Sequence, residues 1–194
     1  MTGLCDVLAP LGPATYVSLG KESAAVTATL QALEADDAAA RICAREGAFW
    51  GANSRAVARE IEDRLGWLSL PRDMRVEVTR LEALAAEVRA AGIRRVVLLG
   101  MGGSSLAPEV MAAVLPRQSD ATELVVLDAT DPTQIMRVEQ SAPLNQTLFV
   151  LASKSGTTLE TDSLYAYFRA RMQQVVGDEH WSEHFVGITD PGTA

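Results

Sequence analysis

Metal-ligating residues are scarce in this sequence. Its 194 residues include two histidines, His180 and His184, and two cysteines, Cys5 and Cys43. Neither pair forms a cluster with ligand spacing, so no metal site is expected. The cysteines have no histidine beside them and fit a reduced cytoplasmic chain better than a disulfide framework. Positive charge is also in deficit. Seventeen Lys and Arg face 25 Asp and Glu, a formal net charge of -8, which disfavours a nucleic-acid backbone or an anionic membrane as partner. Any anionic ligand must therefore be held locally. No apolar run approaches the roughly 18 residues of a membrane span. The opening MTGLCDVLAPLGP lacks a basic segment followed by an apolar one, so neither export nor insertion is supported. Two phosphate motifs are missing as well. No G-x-x-x-x-G-K-[ST] loop occurs, and GMGGSS carries Ser105 where a dinucleotide fingerprint needs its third glycine. No nucleotide or other cofactor is expected.

What is present divides by texture near Gly92. Residues 1–92 read as a helical N-terminal segment and residues 93–194 as an α/β domain. In the first part, helices are expected over Lys21 to Glu34, Asp36 to Ala44 and Ser54 to Leu65, the last stopped by a left-handed Gly66. GWLSLPRDM reads as a connecting loop. Thr79 and Glu82 form a capping-box pattern ahead of the apolar stripe Leu81, Leu84, Ala85 and Val88, on a helix ending near Gly92.

From Ile93 onward, short β-branched apolar runs alternate with helical stretches, the pattern of a parallel sheet with crossover helices. Four strands are expected: Arg94 to Gly100, Glu123 to Asp128, Thr147 to Ser153 and His184 to Thr189. Each is nearly continuous in apolar residues, as a strand covered on both faces should be. Thr130-Asp131-Pro132 follows the second strand and Thr189-Asp190-Pro191 the fourth. Both read as helix starts, with Asp as cap and Pro in the first helical position. Since little follows Pro191, the α/β domain is expected to be incomplete at its C-terminus.

Two loops carry the chemistry. LLGMGGSSLAPE joins the first strand to a helix and LASKSGTTLET joins the third to another. Both fall at the carboxyl ends of parallel strands, where open α/β sheets bind ligands. Helix N-termini with small hydroxyl donors suit a phosphate there without net positive charge. The alternative reading of the same residues is structural: Gly100, Gly102 and Gly103 make a tight turn, and Thr157 with Glu160 forms a capping box. His180 and His184 lie in neither loop and read as solvated surface. Trp50, Trp67 and Trp181 read as packing residues.

GMGGSSLAPE, followed some fifty residues later by ASKSGTTLET and then by FVGITDPGT, resembles the sugar-isomerase domain of glucose-6-phosphate isomerases. It is most similar to the isomerase half of bacterial enzymes in which that domain is fused to a transaldolase. The likeness runs from about Val96 to Thr193. It implies a flavodoxin-like parallel sheet and a phosphorylated sugar as ligand, held by Gly103, Ser104, Ser153, Lys154, Ser155, Thr157 and Thr158, with Lys154 acting mainly through its backbone N–H. Glu160 matches a family glutamate close to the reacting end of the sugar, which makes it the candidate catalytic residue of this chain. The reaction implied is glucose 6-phosphate to fructose 6-phosphate, by ring opening and then proton transfer through an enediol. The family takes its remaining catalytic groups from a Gly-Gly-Arg-Tyr-Ser motif and from a Glu, a His and a Lys further on, none of which is matched here. A homodimer in the complete protein is implied too. Two alternatives stay open: a sugar-phosphate-binding sensor without turnover, and an isomerase of a different phosphosugar.

Overall fold

The structure is a computed structural model, and it describes residues 20–116, 122–190 and 192. Cys5, the opening segment and Pro191 lie outside the described residues. Two compact units are present, Met1–Thr79 and Arg80–Ala194.

The first unit contributes helices α1 (Ser23–Ala35), α2 (Ala38–Cys43), α3 (Arg55–Arg64) and α4 (Leu70–Asp73), with 3-10 turns between them. Ser54 caps α3, its Oγ accepting from the Val57 N–H, as its position before an apolar-periodic run requires. Gly47 packs so closely on α3 that a Cβ there would lie 2.8 Å from the Ala58 Cα. Three expectations fail in this stretch. Gly66 is not left-handed, because the chain continues from α3 directly into a 3-10 turn over Gly66–Leu68. GWLSLPRDM is mostly helical rather than loop: Pro71 falls in the first turn of α4, where its missing N–H costs nothing. Trp50 and Trp67 are 50% and 59% exposed, so neither is a buried packing residue.

The second unit takes in α5 (Val78–Ala90) from Arg80 onward and holds the four strands found among the described residues. Its start at Arg80 precedes the change of texture at Gly92, because the stripe Leu81, Leu84, Ala85 and Val88 lines an apolar groove together with Val96 and Leu148 of the sheet. The Thr79–Glu82 capping box does not form, since a 3-10 turn over Met74–Glu77 leads straight into α5 and leaves Thr79 inside it. The helix does stop at Gly92, whose φ of +80° is one that glycine adopts without a Cβ penalty.

Strands β1 (Arg95–Gly100), β2 (Glu123–Leu127), β3 (Thr147–Ala152) and β4 (Phe185–Ile188) form a parallel sheet in the order β2-β1-β3-β4. Helices α6 (Gly103–Val114), α7 (Pro132–Ser141) and α8 (Leu159–Val176) are the crossovers. Alternation along the strands sends Val97, Leu99, Leu127 and Phe149 into one core with Val138 of α7 and Leu164, Phe168 and Met172 of α8. Phe149 stacks on Phe168 at 4.6 Å and on Phe185 at 5.2 Å between ring centroids. Burying such a side chain stabilises the fold by roughly 1.5–3 kcal/mol. Asp131 caps α7 as expected, accepting from the Gln134 N–H at 3.0 Å with Pro132 in the first turn.

Candidate functional site

The chain runs from β1 outward to β2, then returns past β1 to build β3 on its other side. Strand order therefore reverses between β1 and β3, the place where the diverging loops of an open α/β sheet characteristically leave a crevice for a ligand. Those are the two loops singled out by sequence. Register pairs Gly100 with Ala152, so the loops leave the sheet at the same level.

Glycine makes this closeness workable. A Cβ on Gly100 would lie 3.1 Å from the Ala152 carbonyl oxygen and 3.3 Å from the Ser104 Cβ. Gly102 has φ +53° and ψ -116°, a backbone conformation that side chains strain to adopt. The turn it makes lets the Ser105 and Leu106 N–H groups bond to its carbonyl, at 3.1 and 3.0 Å. The buried Ser105 hydroxyl donates to the same oxygen at 3.1 Å. Gly103 remains exposed and Ser104 half-buried at the open first turn of α6.

The second loop is built from hydroxyls. Ser153, 8% exposed, continues the β3–β4 pairing by donating its N–H to the Ile188 carbonyl at 3.0 Å. Its Oγ lies 2.9 Å from Thr158 Oγ1, which ties the end of β3 to the start of α8. Between them the chain turns through Gly156, at φ +68°. There Ser155 Oγ accepts from both the Thr157 N–H (3.2 Å) and the Thr157 hydroxyl (3.1 Å). The capping box of Thr157 and Glu160 is thus not formed. The Thr157 N–H that the box would give to Glu160 goes to Ser155 Oγ, and α8 begins one residue later, with Thr158 at the cap position but no side-chain cap bond. Glu160 and Asp162 stand in the first turn of α8, where their charge suits the helix dipole, and Glu160 is exposed. In the same turn Thr161 is 1% exposed, and its hydroxyl has no hydrogen-bond partner among the described residues.

The loop after β4, read from sequence as a helix start at Thr189-Asp190-Pro191, was given no part in the site. Its Asp190 N–H and Thr189 hydroxyl both donate to the Lys154 carbonyl, each at 3.4 Å. Lys154 is fixed by its backbone while its side chain stays exposed. The repeat of Thr-Asp-Pro after β2 and β4 was the available signal. Neither histidine joins the crevice. His180 is exposed and pairs with Glu183 at 3.1 Å, whereas His184 is not a solvated surface residue. It is half-buried, its Nδ1–H donating to the Thr147 carbonyl at 2.8 Å. Among the described residues, no cluster of His, Cys, Asp and Glu could hold a metal ion, and no helix is long and apolar enough to cross a membrane. The apolar groove, about 680 Å³, is lined by α5, α6, the α6–β2 connection and the sheet; of the stretch LLGMGGSSLAPE it touches Pro108 alone, within α6, and nothing of LASKSGTTLET.

Fold and crevice define an open parallel α/β domain whose candidate ligand site sits where the strand order reverses. The family model described as phosphoglucose isomerase matches residues 76–193, more than half of the chain. The chain belongs to the phosphoglucose isomerase family. A glucose-6-phosphate isomerase of Thermus thermophilus is 32% identical over 127 residues, covering 66% of this chain and 29% of that protein. One from Frankia casuarinae is 35% identical over 98 residues, covering 50% and 18%. Among solved structures, a hypothetical protein of Thermus thermophilus superposes with a TM-score of 0.65 at 27% identity, covering 89% of this chain and 37% of that one. A glucose-6-phosphate isomerase from Chlamydia trachomatis gives 0.55 at 28% identity, covering 79% and 27%. The chain thus spans less than a third of the length of these two named isomerases from Thermus and Frankia.

Proposed function

We propose that the full-length protein interconverts glucose 6-phosphate and fructose 6-phosphate through an enediol, in the cytoplasm and as a homodimer, and that the present chain supplies the phosphate-binding portion. The observation that carries this reading is the side-by-side placement of the two loops at the β1/β3 reversal, in a chain of the phosphoglucose isomerase family.

In this reading the phosphate lies over the open turns of α6 and α8. Gly103 and Ser104 face it from one side and Ser153, Lys154, Ser155 and Thr158 from the other, with the Lys154 backbone steadied by Thr189 and Asp190. The positive ends of two helices and several neutral donors hold the anion, which suits a chain of net charge -8. Anchoring the phosphate fixes the distance to the sugar carbons between which the proton moves, and so serves orientation rather than bond making. Glu160, in the first turn of α8, is the residue this reading sets toward the reacting end. Proton transfer and ring opening draw on groups that this chain does not contribute, and the 194 residues by themselves are expected to turn over fructose 6-phosphate poorly or not at all.

A coupled assay of the full-length protein tests the reaction, with a panel of other ketose phosphates to test the sugar. Replacing Ser155 or Thr158 by Ala should weaken phosphosugar binding about tenfold or more, given roughly 1.5–3 kcal/mol for each hydrogen bond to a charged group. Phosphate binding without turnover of any sugar would instead identify a sensor.

A further inference from the structure

We infer that Thr157 does not touch the phosphate: it is a positioning residue that leaves Ser155 able only to donate. The inference rests on the phosphate-binding reading above and concerns Thr157, which the resemblance counted among the phosphate ligands.

A serine hydroxyl has one proton to give and two lone pairs to accept with. Both lone pairs of Ser155 Oγ are occupied from the same residue, by the Thr157 N–H at 3.2 Å and the Thr157 Oγ1–H at 3.1 Å. What remains is the Ser155 proton, on an exposed side chain. A hydroxyl in that state cannot accept from a sugar hydroxyl or a cation. It can only donate, which is what a phosphate oxygen requires. Having given its proton to Ser155, Thr157 has none to offer a ligand. The neighbouring pair behaves differently. Ser153 and Thr158 share one hydrogen bond at 2.9 Å, so one of their two protons is engaged and one is left. Of the four hydroxyl protons in the loop, two are therefore left uncommitted, one on Ser155 and one in the Ser153–Thr158 pair. Thr157 sharpens the preference for an anion without contacting it.

The test is a double-mutant cycle in the full-length protein, reading the Kd of inorganic phosphate by calorimetry and the KM of fructose 6-phosphate. Thr157→Val keeps the shape and the backbone N–H but releases one lone pair of Ser155. It should raise both constants about three- to tenfold, with the loss falling on KM rather than kcat, and Thr157→Ser should restore them. Thr157→Ala serves as a second way of deleting the hydroxyl. In a Ser155→Ala background Thr157→Val should add nothing, because its only route to the ligand is gone. Equal weakening by Thr157→Val with and without Ser155 would make Thr157 a direct ligand and overturn the inference, as would full phosphate affinity in Thr157→Val when Ser155→Ala has lost it. Unchanged phosphate affinity in Ser155→Ala would defeat the phosphate-binding reading itself, and the inference with it.

Discussion

Arg95 and Thr147 face each other in register on adjacent parallel strands, and the guanidinium of one donates to the hydroxyl of the other at 3.1 and 3.3 Å. Arg95 is 2% exposed and donates also to the Val138 carbonyl (2.9 Å) and Ser141 Oγ (2.5 Å). Burial pushes its pKa down, opposed by the charge of Glu123. The side chain thus clamps the end of α7 to the sheet margin opposite the crevice. Arg95→Ala would strand these acceptors and should destabilise the fold by about 3 kcal/mol. Urea unfolding should show a lower midpoint with an unchanged slope.

Glu139 of α7 accepts from the Tyr167 hydroxyl (2.5 Å) and the Arg171 Nε (2.6 Å) of α8. The Tyr167 hydrogen bond, then Arg171, holds the Glu139 carboxyl below its usual range, and the same bond raises the Tyr167 phenol. A depressed carboxylate contributes stability that is present above its unfolded pKa and lost as pH falls through the lower, folded value. A raised phenol contributes stability that is present below its unfolded pKa and lost as pH climbs through the higher, folded one. Glu139→Gln should therefore flatten both the acid and the alkaline limbs of a melting-temperature profile. At neutral pH the loss should be modest, about 1 kcal/mol, because the partners are partly solvated.

The unpartnered Thr161 hydroxyl predicts the opposite sign. Thr161→Val removes a buried group that makes no hydrogen bond among the described residues and keeps nearly the same shape. Stability should rise by about 1 kcal/mol. A lower melting temperature would mean that the hydroxyl has a partner in solution.

Two threonine and aspartate positions separate capping from other roles. Asp131→Ala deletes a real cap bond and should cost about 1 kcal/mol. Thr157→Ala removes no cap, since α8 begins after Thr158, and thermal melts should show a smaller change than for Asp131→Ala.

Strands were the most legible part of the sequence, because burial on both faces demands unbroken apolar runs such as Val96–Leu99 and Leu148–Leu151, and each ended within a residue of its expected limits. Asp131-Pro132 was equally legible, as cap and first-turn chemistry are local. The misreadings share a cause, namely competition that a spacing pattern does not contain. Thr157 had the spacing of a cap, but its N–H, which the box would give to Glu160, goes to the nearer Ser155 Oγ. Thr79 had it too, but the preceding turn was already wound. Pro71 suggested a break where it begins a helix. Within the site, the loops and their hydroxyls were readable from residue type and resemblance. The register that sets Gly100 beside Ala152 was not, for it depends on pairing across some fifty residues of chain.

On the proposed function, that pairing would couple ligand binding to folding. β3 can dock on β1 only after the chain has left through β2 and returned through α7, so the crevice has no counterpart in any short segment and exists only once this long loop has closed. A ligand that recognises the paired loops binds the folded state alone. At a hundredfold excess over its Kd it would add about 2.7 kcal/mol to stability, acting as a reversible staple across the β1–β3 boundary, where the direction of chain progress reverses.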